Sequence, residues 1–156
     1  MSRILIIGYG NVLRADDGAG YRAAEELQRH YRDDPEVRVF AAHQLTPEMA
    51  AEISSNDFVM FLDASSEAEP GKIWQVAVSP EATLSGFTHQ LTPASLLSAA
   101  EKLYGHAPEA VCISMAGWSF NLDDKLSRRA KMLLPVFISQ AKQAAESHRR
   151  ASLQPA

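Results

Sequence analysis

Five short apolar segments alternate with helical patterns along this chain, and this alternation constrains the fold more than any other feature. The first segment, residues 4–7, is a continuous apolar run that ends at Gly8. A run without polar alternation is typical of a strand buried on both faces, as in parallel sheets. The pattern therefore predicts a three-layer α/β sandwich with a mostly parallel sheet and helices on both faces. Strands are predicted near residues 3–8, 36–41, 57–63, 73–78 and 110–116.

Helical periodicity fills most of the intervals between these segments. The Thr-Pro pairs at 46–47 and 92–93 are each predicted to begin a helix, and Gly105 is placed to end the second one. Apolar residues at helical spacing between 126 and 145 predict a long final helix. Pro135 lies inside that pattern and is expected to kink or split the helix.

The bulk properties favour one soluble domain. A chain of 156 residues is long enough for one hydrophobic core, so residues 1–146 are predicted to be a single domain and 147–156 a flexible tail. A net charge of −4 disfavours nucleic acid as a partner. The one cysteine, Cys112, excludes an intrachain disulfide, and the N-terminal apolar run is too short for a signal peptide or a membrane span. We therefore expect a cytoplasmic monomer without membrane contact.

The first predicted strand runs into a glycine-rich loop, residues 8–20, with the sequence GYGNVLRADDGAG. A dinucleotide fingerprint would need glycine where Leu13 stands, and the Gly-Lys-Ser/Thr of a phosphate-binding loop is absent. Asp16 and Asp17 would also repel a phosphate at a helix start, so a nucleotide-dependent oxidoreductase is disfavoured. One aspartate is enough to cap a helix, a contribution of ~1 kcal/mol, so the pair leaves capping and a functional role both open.

Two further candidates follow later strands. Asp63 ends the third predicted strand, at the edge of an α/β sheet where ligands bind, although a turn-forming role is also possible there. His89 lies in the long loop after the fourth strand and shares the sequence His-Gln-Leu-Thr-Pro with His43, so local sequence does not choose between them. Asp17, Asp63 and His89 together form a carboxylate–imidazole set that suits a divalent ion such as nickel or zinc.

The cysteine and serine side chains of the sequence give no support for covalent catalysis. Cys112 lies in the middle of the fifth apolar run, where a cysteine is expected to be buried and to act as a small hydrophobe. No Gly-x-Ser-x-Gly motif occurs in the sequence, and Ser65 and Ser66 lack the context of a nucleophile.

The same residues carry a family resemblance. The loop 8–20 closely resembles the opening signature of the hydrogenase maturation endopeptidases, and Leu62-Asp63-Ala64 looks like the second acidic site of that family. His89, in a long loop before a helix, is similar to the family's histidine. The resemblance covers about residues 3–145 and implies a twisted five-stranded sheet. It also implies that Asp17, Asp63 and His89 are the catalytic and metal-binding residues.

An activity follows from that resemblance. Members of the family remove a C-terminal extension from the large-subunit precursor of a nickel–iron hydrogenase that is already loaded with nickel. This chain is therefore expected to be a peptidase whose partner is such a precursor. Nickel would be supplied by the substrate, so the resting site is expected to be empty, and whether the ion takes part in catalysis or only in recognition stays open. The alternative is a metal-dependent chaperone that binds the precursor without cutting it.

Position in the fold should separate the two similar histidines. We expect the side chains of Asp17, Asp63 and His89 to converge on one cleft, close enough to share a divalent ion. His43 follows its strand by only a few residues and leads straight into a helix, so it is expected at the rim of that cleft, in contact with the substrate peptide.

Overall fold

The middle layer of the fold is a five-stranded sheet in the computed structural model, which describes residues 2–81 and 91–154. The strands are β1 (Ile4–Tyr9), β2 (Val37–Ala42), β3 (Phe58–Ser65), β4 (Ile73–Val78) and β5 (Glu109–Ala116). Their order across the sheet is β2-β1-β3-β5-β4; the first four pair in parallel, and β4 pairs antiparallel to β5. The predicted sheet is confirmed, and every strand lies within two residues of its predicted bounds.

Helices cover both faces of this sheet. They are α1 (Ala19–His30), α2 (Met49–Ser54), α3 (Pro93–Tyr104) and α4 (Arg128–Leu153), and a 3-10 turn, Ala15–Gly18, precedes α1. One buried apolar cluster joins the sheet to α1 and α4, and a second joins it to α2 and α3. The predicted three-layer sandwich is therefore confirmed. No helix within the described residues is both long and apolar enough to cross a membrane.

The continuous apolar run of β1 is explained by its central place in the sheet. Ile4 and Ile6 pack into the cluster under α1 and α4, whereas Leu5 and Ile7 pack into the cluster under α2 and α3. All four side chains are fully buried. Successive strand residues point to opposite faces, so a strand covered on both faces can have no polar position.

The predictions made from the two Thr-Pro pairs have different outcomes. The prediction for α3 is confirmed: the Thr92 side chain accepts a hydrogen bond from the backbone N–H of Ser95, and Gly105 ends the helix with a φ of 82°. The prediction for α2 is wrong by two residues. Thr46 and Pro47 form a turn instead, closed by a hydrogen bond from the Met49 N–H to the Thr46 carbonyl at 3.1 Å, and the helix begins at Met49.

The final helix is longer and more continuous than predicted. Of the kink or split expected at Pro135, the split is wrong, because α4 continues unbroken through this exposed residue. The opposite side of the helix is anchored by fully buried residues such as Phe137. The helix also continues to Leu153, through most of the segment expected to be a flexible tail. Arg149 forms an ion pair with Asp34 there, and the His148 ring stacks on Phe58 at 4.4 Å.

Candidate functional site

A cleft of about 810 Å³ opens at the carboxyl ends of β1 and β3. Because β1 has β2 on one side and β3 on the other, the chain changes winding direction here, and α/β sheets bind ligands at this point. The walls come from strand ends, from the loop after β1, from the segment after β2 and from Leu91, just before α3. The lining residues are Tyr9, Gly10, Asn11, Leu13, Arg14, Asp17, His43, Gln44, Leu45, Thr46, Pro47, Asp63, Ala64 and Leu91.

The loop after β1 is held by close backbone packing. A Cβ atom at Gly10, which has a φ of 152°, would lie 1.9 Å from the Asp17 carbonyl oxygen. A Cβ atom at Gly20 would lie 2.3 Å from the carbonyl oxygen of Leu62 in β3. Side chains are therefore excluded at both positions, and α1 can start directly against the sheet. This packing fixes the position from which Asp17 reaches the cleft.

The two adjacent aspartates have different roles in the structure. Asp16 is fully buried and points away from the cleft. Its carboxylate accepts hydrogen bonds from the backbone N–H groups of Trp118, Ser119 and Ser127 at 2.8, 3.1 and 2.7 Å, and from the Ser127 hydroxyl at 2.8 Å. Since Ser127 is the N-cap residue of α4, Asp16 ties the loop to the start of that helix.

Asp17 is the member of the pair that lines the cleft. Its side chain is half-buried, and its Oδ2 atom accepts a hydrogen bond from the backbone N–H of Asn11 at 2.8 Å. Of the two possibilities that the sequence left open, the structure therefore assigns a structural tether to Asp16 and a place in the cleft to Asp17.

Asp63 lies across the cleft floor, at the end of β3. Its Oδ2 atom accepts a hydrogen bond from the Tyr9 hydroxyl at 2.8 Å. Burial raises the pKa of Asp63 above its ordinary value, and the nearby charge of Asp17 acts in the same direction, whereas hydrogen bonding by Tyr9 and Ser114 opposes the rise. Burial, followed by the Asp63 charge, also raises the pKa of Tyr9 well above its usual range, so the phenol stays protonated and acts as a donor.

Of the two histidines with the same local sequence, His43 lies within the described residues and His89 does not. His43 is exposed, lines the cleft and stacks on Tyr21 with ring centroids 5.3 Å apart. His89 lies outside the described residues, so its convergence with the two acids stays a prediction. Leu91, the first residue described after it, lines the same cleft. Among residues 2–81 and 91–154, no group of three His, Cys, Asp or Glu side chains is arranged to hold a metal ion.

Cys112 is buried, as predicted. Its Sγ atom lies 3.8 Å from the Ser114 hydroxyl, and burial raises the pKa of the thiol to about 12. A thiol with so high a pKa is not a nucleophile at neutral pH. The expectation against covalent catalysis by this cysteine agrees with its surroundings.

Tyr9 is the main site residue that the sequence reasoning missed. The signal was present, because Tyr9 follows Leu5 and Ile7 on one face of β1 and stands at the carboxyl end of that strand. A polar group at this position stands where α/β sheets bind ligands. Arg14 and Asn11 also line the cleft and were not singled out.

Several known proteins that resemble this chain are hydrogenase formation or maturation proteins, although no family model matches it. It is 30% identical to the hydrogenase expression/formation protein HupD of Bradyrhizobium diazoefficiens, over 69% of this chain and 58% of that protein. It is 27% identical to the hydrogenase 2 maturation protease of Escherichia coli, over 60% of this chain and 57% of that protein. The chain spans less than two thirds of the length of each of these relatives.

Solved structures show the same likeness over nearly the whole chain. The hydrogenase maturating endopeptidase HybD from E. coli superposes with a TM-score of 0.73 at 21% identity, over 94% of this chain and 93% of that one. The [NiFe] hydrogenase maturation protease HycI from Thermococcus kodakarensis gives a TM-score of 0.68 at 26% identity, over 88% and 91%. The resemblance to the hydrogenase maturation endopeptidases, stated above from sequence motifs, is thereby confirmed in sequence and in fold.

Proposed function

We propose that this chain, similar in sequence and fold to the hydrogenase maturation endopeptidases, is itself such an endopeptidase. It would remove the C-terminal extension of a nickel-loaded large-subunit precursor of a nickel–iron hydrogenase. The observation that carries the proposal is the pair of carboxylates, Asp17 and Asp63, that line one cleft at the carboxyl ends of β1 and β3. The proteases among its relatives and structural neighbours support the reaction type.

The donor set of the cleft suits nickel that arrives with the substrate. Carboxylate and imidazole groups together bind borderline divalent ions, and Asp17 and Asp63 supply the two carboxylates. We assign the imidazole to His89, because Leu91, two positions later in the sequence, lines the cleft. His43 is assigned to the substrate peptide, because its exposed ring stands in the cleft wall against Tyr21.

The proposed reaction is hydrolysis of one peptide bond. Water adds to the amide carbon, the C–N bond breaks, and the new amine leaves with a proton. Nickel within the substrate would be bound by the two carboxylates, and this would bring the scissile bond into the cleft. Whether the ion polarises the carbonyl or only anchors the precursor, cleavage becomes conditional on earlier nickel insertion.

The proposed cellular compartment of the enzyme is supported by its cysteine content. Its one cysteine is buried and unpaired, which agrees with a reducing cytoplasm. We propose that it acts there as a monomer whose macromolecular partner is the hydrogenase precursor.

Cleavage of the precursor is the direct test. The protein is incubated with nickel-loaded precursor, and the mass of the precursor is measured before and after. Loss of a C-terminal peptide supports the protease, and a nickel-free precursor that stays intact serves as the matched control. An unchanged mass together with a stable complex would favour the non-cleaving chaperone instead.

A further inference from the structure

The Tyr9 side chain is built into the cleft floor from two sides. Its ring packs against the buried cluster under α2 and α3, and its hydroxyl reaches the Asp63 Oδ2 atom at 2.8 Å. The strand register explains this contact. Gly8 pairs with Leu62 in the parallel β1–β3 ladder, so the next residue of each strand, Tyr9 and Asp63, are neighbours at the same edge.

The contact determines how the Asp63 carboxylate is oriented. A carboxylate at a strand end rotates about its side-chain bonds unless a donor holds one of its oxygens. The Tyr9 hydroxyl is such a donor, and the packing of the Tyr9 ring against the apolar cluster holds this hydroxyl in place. Asp17 has a comparable arrangement, since the Asn11 backbone N–H holds its Oδ2 atom at 2.8 Å. The Tyr9 hydroxyl and the Asn11 N–H therefore each supply a donor to one acid of the cleft, and Ser114 is a further donor to Asp63.

We infer that Tyr9 is a positioning residue of this site, whose hydroxyl holds the Asp63 carboxylate in the orientation that receives the nickel of the substrate beside Asp17. The inference rests on the proposed function, because that function supplies the ion. In this role Tyr9 acts through Asp63 and is assigned no contact of its own with the scissile bond or the metal. Partners that orient a metal-binding carboxylate in this way typically change activity or metal affinity about 10–100-fold when they are removed.

The test is the variant Tyr9→Phe, which removes the hydroxyl and keeps the ring in the buried cluster. Tyr31→Phe is the matched control, because the Tyr31 hydroxyl is buried in the other apolar cluster and has no hydrogen-bond partner among the described residues. Two quantities are measured for both variants and for the wild type. They are the rate of precursor cleavage and the pH dependence of the Asp63 carboxyl carbon resonance in NMR spectra.

The expected result is specific to Tyr9. Tyr9→Phe should lower the cleavage rate about 10–100-fold. It should also move the Asp63 titration to higher pH, because the ionised carboxylate loses a donor. Tyr31→Phe should change neither quantity. Circular dichroism and thermal unfolding of all three proteins show whether each remains folded.

The other possible results separate the positioning role of Tyr9 from the proposed function. A Tyr9→Phe protein that cleaves at the wild-type rate would overturn the positioning role and leave the proposed function intact. An unchanged Asp63 resonance would overturn it as well, because the hydroxyl would then not act on the carboxylate. If the wild type itself does not cleave nickel-loaded precursor, the proposed function fails, and the NMR comparison still reports whether Tyr9 controls Asp63.

Discussion

Replacing Asp16 with alanine should destabilise the protein far more than the same change at its neighbour Asp17. Asp16→Ala leaves the backbone N–H groups of three half-buried residues, Trp118, Ser119 and Ser127, without their acceptor. An unsatisfied buried donor costs about 1–3 kcal/mol, and water entering the space offsets part of the total, so we expect a loss of about 3–5 kcal/mol. Asp17→Ala loses the hydrogen bond from Asn11 and should cost about 1 kcal/mol.

An intermediate variant sharpens this prediction. The Asp16 Oδ2 atom accepts three of the four hydrogen bonds, and Oδ1 accepts the one from the Ser127 N–H. In Asp16→Asn the amide oxygen can replace Oδ2, but the NH₂ group would then face that one N–H. We expect a smaller loss of unfolding free energy, about 1–3 kcal/mol, because the new NH₂ group and the Ser127 N–H would face each other without an acceptor.

Urea unfolding followed by circular dichroism measures these differences. The urea concentration at the unfolding midpoint should decrease in the order wild type, Asp17→Ala, Asp16→Asn and Asp16→Ala. The slope of unfolding free energy against urea concentration should be similar if all four proteins unfold in two states. The tether assigned to Asp16 would be refuted if Asp16→Ala lay within 1 kcal/mol of the wild type, or if Asp17→Ala lost as much stability.

Three other predictions concern the cleft. Asp17→Ala and Asp63→Ala should each abolish precursor cleavage while the protein stays folded, and mass spectrometry showing normal cleavage by either would contradict their assignment. His89→Ala should abolish cleavage and His43→Ala should only weaken it; the reverse order would exchange the two roles. Asp63→Asn should raise the free energy of unfolding at neutral pH. The folded-state pKa of Asp63 is raised, so its ionisation destabilises the fold above its unfolded-state pKa, and the gain should disappear on acidification below that value, as urea titrations at several pH values would show.

The sheet could be predicted from sequence because burial on both faces removes polar residues from its central strands. Residues 4–7 show this directly, since neither face of β1 meets solvent. The direction of β4 could not be predicted in the same way. Its antiparallel pairing with β5 leaves no mark in a run of six residues, because strand direction does not change the alternation of side chains.

The site was predictable only where its residues carry a local signal. Asp63 stands at a strand end and Asp17 belongs to a pair of acids before a helix, and these local features predicted both as candidates. The roles of Asp16 and Tyr9 depend on partners that are distant in the sequence: Trp118 and Ser127 for the one, Asp63 for the other. The Thr-Pro helix-start signal misplaced the start of α2, because Thr-Pro begins turns as readily as helices.

The tether at Asp16 also bears on the order of events during synthesis. Its acceptor atoms lie near the start of the chain, and all four donors belong to residues 118–127. A nascent chain that ends before this segment lacks these four hydrogen bonds, although β1, β2 and β3 are already made. The attachment of the loop to the start of α4 therefore forms only after residues 118–127 have been made.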